Sequence, residues 1–123
     1  MINIDDFKKV EIRAGKILTA EKVPETGKLL KLSVDFAETR EVAAPDGTKK
    51  LEPFVRQIIS GISAYFPDPA TLVGRTFMFV TNLEPRTIKG FESQGMILAL
   101  KTEAGAFSLL EPNSTIPAGA VAG

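Results

Sequence analysis

Val10, Ile12 and Ala14 alternate with Glu11 and Arg13, the period-two pattern of a half-buried strand, and Gly15 allows a bulge or bend that shifts the phase to Ile17. A polar stretch from Glu21 to Lys28, containing Pro24 and Gly27, closes this first strand. Leu30, Leu32, Val34 and Phe36 then alternate against Lys31, Ser33 and Asp35, which predicts a second strand with Lys31 directed away from the core. From Ala37 to Pro53 the chain carries Pro45-Asp46-Gly47, turn chemistry that predicts a long hairpin excursion and not a linker between domains. A third strand follows from Phe54 to about Ser60.

In the segment AYFPDPATLVG, Asp68 can cap a helix with Pro69 at its first position, and Gly74 stops it, so one short helix is expected there. Phe77, Phe79, Thr81 and Leu83 alternate with Met78, Val80 and Asn82 in a fourth strand, and Met96 to Leu100 reads as a continuous buried fifth strand that makes Met96 a core residue. Gly105 allows a tight turn into Phe107 to Leu110, and Pro117 and Gly119 loosen the tail. At the other end, Asp5 and Asp6 read as a cap for a short helix beginning near Phe7 rather than as a paired-carboxylate site. Five strands with one helix between the third and fourth is the order of an all-β OB-fold, a five-stranded Greek-key barrel; a sandwich is the other all-β arrangement at this size.

The length of 123 residues suits a single domain spanning 1–123, and 44% apolar with 24% charged residues is enough to build a core without disulfides or metal. Absence of Cys and His removes thiol catalysis, Ser-His triads, the usual zinc ligand sets and haem ligation by His, so no enzyme and no cofactor is expected. Fifteen basic residues balance fifteen acidic ones, so no broad positive field exists to hold arbitrary nucleic acid; an anionic partner has to be bound locally and by shape. The apolar runs fall far short of the roughly 20 residues that span a bilayer, and MINIDDFKK lacks the apolar centre of a signal peptide, which leads to the expectation of a cytoplasmic protein without a membrane partner.

OB barrels bind oligonucleotides on the face of strands two and three and on the loops joining strands one to two and four to five. Lys22 and Lys28 fall in the first loop, Lys31 and Arg56 on the face, and Arg86 and Lys89 in the second loop. Taken singly, each reads as a solvated surface charge; their convergence favours a binding role. In the loop EPRTIKGFES, Pro85 stiffens the entry and Gly90 permits a positive backbone angle. Arg86 can grip a phosphate and Phe91 offers a stacking platform for an unpaired base. The plainer alternative has Ile88 and Phe91 plugging a barrel end. Ser60, Ser93 and Asn82 can meet phosphate, ribose or base edges, or can brace their own backbone.

The runs DDFKKVEIRAGKI, TGKLLKLSVDF, IISGISAYF and TNLEPRTIKGFESQGMILAL together resemble the tRNA-binding domain shared by free-standing structure-specific tRNA-binding proteins and the C-terminal appendage of bacterial methionyl-tRNA synthetases. The likeness covers nearly the whole chain, and NLxPR, KG and ESQGM in order are its specific part. The resemblance implies an OB-fold with extra C-terminal strands, assembled as a homodimer, that binds the outer bend of folded tRNA without catalysis. By position it implies RNA contacts at Lys28, Lys31, Ser60, Asn82, Arg86, Lys89, Ser93, Gln94 and Met96, and dimer contacts near Ile4 to Val10 and Phe107 to Val121. A related branch, the cytoplasmic chaperones associated with protein export, holds unfolded polypeptides on the same barrel. Its sequences tend to lack the pieces that stand here as Ser60-Gly61-Ile62 and Ser93-Gln94-Gly95-Met96, which favours RNA. A third possibility is a module that delivers tRNA to a separate methionyl-tRNA synthetase chain. The segment from Arg40 to Phe54 is longer than the family's usual connection; it can add Lys49 and Lys50 as phosphate contacts, shield the groove, or stand as a solvated hairpin.

Overall fold

Antiparallel pairing organises the chain, shown in a computed structural model that describes residues 1–123. β1 (Ile12–Lys22) lies between β2 (Leu30–Ala43) and β4 (Thr76–Val80); β3 (Lys49–Ser60) flanks β2 and β7 (Met96–Ile97) flanks β4. The sheet order β3-β2-β1-β4-β7 curls into an OB-like half-barrel. Two separate hairpins are added, β5 (Arg86–Ile88) with β6 (Phe91–Ser93), and β8 (Ala99–Lys101) with β9 (Phe107–Leu109). No helix of the structure is long and apolar enough to cross a membrane.

The alternation in β2 does what the sequence predicts: Leu30, Leu32, Val34 and Phe36 are buried, joined in the core by Ile17, Ile58, Leu72, Phe77 and Phe79. Phe36 and Phe79 meet edge to face with ring centroids 5.2 Å apart. Gly15 is required by this packing, because a Cβ there would stand 2.5 Å from the Phe36 ring and 2.6 Å from Val34. The bulge expected at Gly15 falls instead between Ile17 and Thr19, where the register against β2 shifts. β1 also runs on to Lys22, so the connecting turn is shorter than the polar stretch suggested.

Several other expectations are corrected by tertiary pairing. The long hairpin excursion forms as expected, but its arms belong to the strands themselves: β2 continues past Phe36 and β3 starts before Phe54, and Asp46 closes the ribbon, its carboxylate accepting from Thr48 N at 3.0 Å. The helix between β3 and β4 is two 3-10 turns, Ser63–Tyr65 and Pro69–Leu72; Asp68 does cap the second, accepting from Ala70 N at 3.1 Å. The N-terminal helix α1 (Ile4–Phe7) ends where a start was expected. Asn3 is its cap, accepting from Asp6 N at 2.8 Å, and Asp5 and Asp6 occupy its first turn. β4 stops at Val80 because Thr81 and Asn82 turn to bind the N-terminal segment. The run from Met96 to Leu100 is not one buried strand: it breaks at Leu98 between two short ladders, leaving Ile97 buried while Leu100 is exposed and Met96 is 46% exposed. The tail is tied down rather than loose, with Gly119 N, Ala120 O and Ala122 N bonded to the β1 backbone.

Candidate nucleic-acid interface

The segment EPRTIKGFES folds as the β5–β6 hairpin. Ile88 pairs with Phe91 across a two-residue turn in which Lys89 and Gly90 both have positive φ, 51° and 86°. This is the primed turn geometry that fits the twist of a tight hairpin. It lifts the Lys89 side chain to the tip. Opposite stands the β1–β2 turn, shaped by Glu25 and Gly27 at positive φ and by Thr26, whose hydroxyl donates to Val23 O at 2.9 Å. The two loops enclose a cleft of about 430 Å³ lined by Val23, Pro24, Glu25, Thr26, Lys89 and Phe91.

Lys31 joins the cleft from β2, its ammonium 5.2 Å from the Phe91 ring centroid and 2.8 Å from a Glu21 carboxylate oxygen. Phe91 is thus half-buried with a cation over its ring. On the other side of the hairpin, Arg86, Ile88 and Met96 line a groove of about 90 Å³ floored by Ile59 and Ser93. Lys22, Lys28, Arg86 and Lys89 are exposed and no carboxylate lies within 4.0 Å of them. The fold thus puts Lys89 and Arg86 on one hairpin but on different sides of it, Lys31 on β2 above the Phe91 ring, and Lys28 in the facing loop. Ser60 closes β3 opposite Leu30 in the same region.

The polar residues of the sequence motifs have structural partners. Ser93 is 4% exposed, and its hydroxyl accepts from Ile59 N at 3.0 Å and donates to Gly95 O at 3.1 Å. The Gln94 side-chain oxygen accepts from Gln57 N at 2.9 Å, while its own N–H donates to Gln57 O at 2.8 Å. These bonds fasten the strand leaving the hairpin to β3 and close the barrel edge. Asn82 pins the N-terminal segment, accepting from Glu11 N at 2.8 Å and donating to Lys9 O at 2.6 Å. Arg56, placed on the open face by the sequence, is bound to Glu38 and to two main-chain carbonyls. Glu38, Gln57 and Arg13 were not singled out from the sequence. A usable signal existed in Arg56, which shares strand parity with the buried Ile58 and so requires an inward partner.

Hydrogen bonds from Arg56 hold the Glu38 carboxyl below the usual carboxylate range, against the upward push of burial and with help from Arg13. A depressed folded pKa means that the unfolded chain binds the proton more tightly. The stabilisation from ionised Glu38 is therefore complete above the ordinary carboxylate pKa and is lost as pH falls through the depressed one. Urea unfolding from pH 7 down to pH 3 should show the stability gap between the wild type and Glu38→Gln shrinking with acid. A gap independent of pH would show that the charge on Glu38 contributes nothing.

An OB-like barrel with two facing loops bearing unpaired cations is the architecture of an oligonucleotide-binding module. Residues 12–121 match the family model described as a putative tRNA binding domain, and the chain belongs to that family. The methionine–tRNA ligase of Methanospirillum hungatei is 45% identical over 118 residues, which is 96% of this chain and 15% of that protein. The corresponding ligase of Methanoregula boonei is 45% identical over 113 residues, 91% of this chain and 14% of the ligase. The chain thus spans about one-seventh of the length of these relatives. Among solved structures, a MetRS-related protein from Pyrococcus horikoshii superposes with a TM-score of 0.80 at 34% identity, covering 99% of this chain and 97% of that one. The CsaA chaperone of Bacillus anthracis superposes with a TM-score of 0.75 at 28% identity, covering 100% and 99%.

Proposed function

We propose that this chain binds folded tRNA as a cytoplasmic homodimer, without catalysis, using the cleft between the β1–β2 turn and the β5–β6 hairpin. The observation that carries this reading is the cationic and aromatic pairing at that cleft, Lys31 over Phe91 with Lys89 at the tip. Lys28, Lys31, Arg86 and Lys89 contact phosphates. Phe91 in the cleft and Met96 in the groove on the other side of the hairpin each offer a surface for a base, and Ser60 and the free side-chain amide of Gln94 reach ribose or base edges. Ser93 and Asn82 serve from behind, through the bonds that hold the hairpin and the N-terminal segment. Recognition follows the shape of the RNA, since cations spaced along a hairpin and a turn match a bent backbone better than a base sequence. A dimer is supported by the N-terminal segment, exposed throughout residues 1–10, whose Ile4, Phe7 and Val10 surround a cleft of about 310 Å³ with Val121.

Filter binding of total tRNA against an unstructured RNA of equal length tests this reading. Retention should favour tRNA, and log affinity should fall against log salt with a slope of about −3 to −5 if roughly five phosphates are neutralised. The protein in sedimentation velocity should run at twice the chain mass. A flat salt profile, or equal retention of both RNAs, counts against structure-specific tRNA binding. Suppression of aggregation at stoichiometric amounts without tRNA retention would instead favour holding unfolded polypeptides, the reading raised by the likeness to the Bacillus anthracis chaperone. Tight co-purification with a methionyl-tRNA synthetase lacking such a domain would mark a delivery module.

A further inference from the structure

The Arg56 side chain lies at the base of the β5–β6 hairpin and is 15% exposed. Its Nε and Nη2 donate to the two carboxylate oxygens of Glu38 at 2.7 and 2.8 Å, a bidentate pair that fixes the plane of the guanidinium. That orientation leaves Nη1 to donate to two main-chain carbonyls, Thr81 O and Gln94 O. Thr81 stands on the chain entering the hairpin, and Gln94 directly follows β6. One nitrogen therefore ties the end of β4 and the outgoing foot of the hairpin to β3. Arg13 braces the same point, donating from Nη2 to Glu38 at 3.1 Å and from Nε to the Thr81 hydroxyl at 3.2 Å.

Two short strands joined by a tight turn are marginal by themselves in water, so the angle of this hairpin is set by what holds its feet. The remaining ties are Ser93 to Ile59, Gln94 to Gln57, and the Gln57 amide, which donates to Glu92 O at 2.9 Å. All of these sit on the strand leaving the hairpin, whereas Arg56 also holds the end of β4, from which the chain runs on to β5. With four of its five N–H groups engaged, Arg56 has little left to offer a phosphate.

We propose that Arg56, oriented by Glu38, is a positioning residue for RNA binding: it holds the β5–β6 hairpin at the distance from the β1–β2 turn at which Lys89 and Phe91 line one cleft with Lys31 over the Phe91 ring. This rests on the tRNA-binding reading above. The alternative, Arg56 as a phosphate ligand restrained by Glu38, predicts the opposite sign for one variant. Glu38→Gln removes a negative charge and frees a cation, so a purely electrostatic role tightens tRNA binding. Positioning makes it weaker.

The test uses the full chain with total tRNA as the probe, together with amide hydrogen exchange. Glu38→Gln and Arg56→Lys should each weaken tRNA binding about tenfold with the salt slope unchanged, because no phosphate contact is removed and Lys lacks the planar fork that spans a carboxylate and two carbonyls. Amides of residues 86–94 should exchange at least about tenfold faster while those of β1 and β2 keep their rates. Gln57→Ala, which leaves the core intact, should show the same pattern at about threefold and serves if either charged-site variant fails to fold. Tighter or unchanged binding by Glu38→Gln, or unchanged exchange at 86–94 in the folded variants, overturns the proposal. If the wild type itself does not retain tRNA, the functional reading falls, and the exchange rates alone decide whether Arg56 holds the hairpin.

Discussion

Arg86→Ala combined with Lys89→Ala should weaken tRNA binding by more than tenfold and make the salt dependence shallower by about two. Neither cation has a carboxylate within 4.0 Å, so neither is already neutralised by the protein. Both are exposed on a hairpin whose shape comes from main-chain pairing and the Lys89-Gly90 turn, not from these side chains. The double variant should keep the circular dichroism spectrum and melting temperature of the parent. On the proposed site, losing two of about five phosphate contacts should remove a large share of the affinity, while the cleft and the Lys31–Phe91 contact survive. Gel retardation equal to that of the wild type would take the hairpin out of the site.

Phe36→Ala should have the largest effect on stability, a loss of about 3–5 kcal/mol measured by urea unfolding. The ring is 1% exposed and meets Phe79 at a near-right angle. The guanidinium carbons of Arg13 and Arg56 lie 5.5 and 5.4 Å from its centroid, and Gly15 is shaped to admit it. Truncation leaves a cavity beneath the Glu38 cluster and removes the surface on which both guanidinia rest. For a domain with about 5–15 kcal/mol of total stability, that is a large fraction. Phe36→Leu, which refills part of the volume, should recover a good share of it. A loss below about 1 kcal/mol for the alanine variant would show that the barrel relaxes around the gap.

The two experiments separate function from fold because the proposed site is made of two layers. The outer layer is the exposed cations and Phe91. The inner layer is the Phe36, Arg13, Arg56 and Glu38 group together with Ser93, Gln94 and Gln57. Within the ESQGM motif, Ser93 and Gln94 are occupied in joining β6 and the chain after it to β3, which holds the cationic hairpin in place.

Strands with strict alternation were legible in the sequence because burial on one face imposes a period of two, as in Leu30 to Phe36. The long ribbon followed from Pro45-Asp46-Gly47, and the cap at Asp68-Pro69 from local hydrogen-bonding chemistry. Register breaks were not legible. The shifts at Ile17/Thr19 and Asp35/Glu38 depend on which strand lies opposite, and they decide which face Glu38 meets. An apolar run such as Met96 to Leu100 does not show where its hydrogen-bonding partners stop, so its exposed ends were invisible.

The sequence by itself determined an all-β barrel without thiol or imidazole chemistry, and a set of cations at positions that OB-fold loops occupy. Those properties are carried by local periodicity, turn residues and composition. Tertiary structure decided which of the polar residues remain free: Arg86, Lys89 and Lys28 stay open, while Arg56 and Ser93 are consumed as partners of main-chain groups. The physical reason is that a buried donor or acceptor must find a partner, and that partner is supplied by chain distant in sequence.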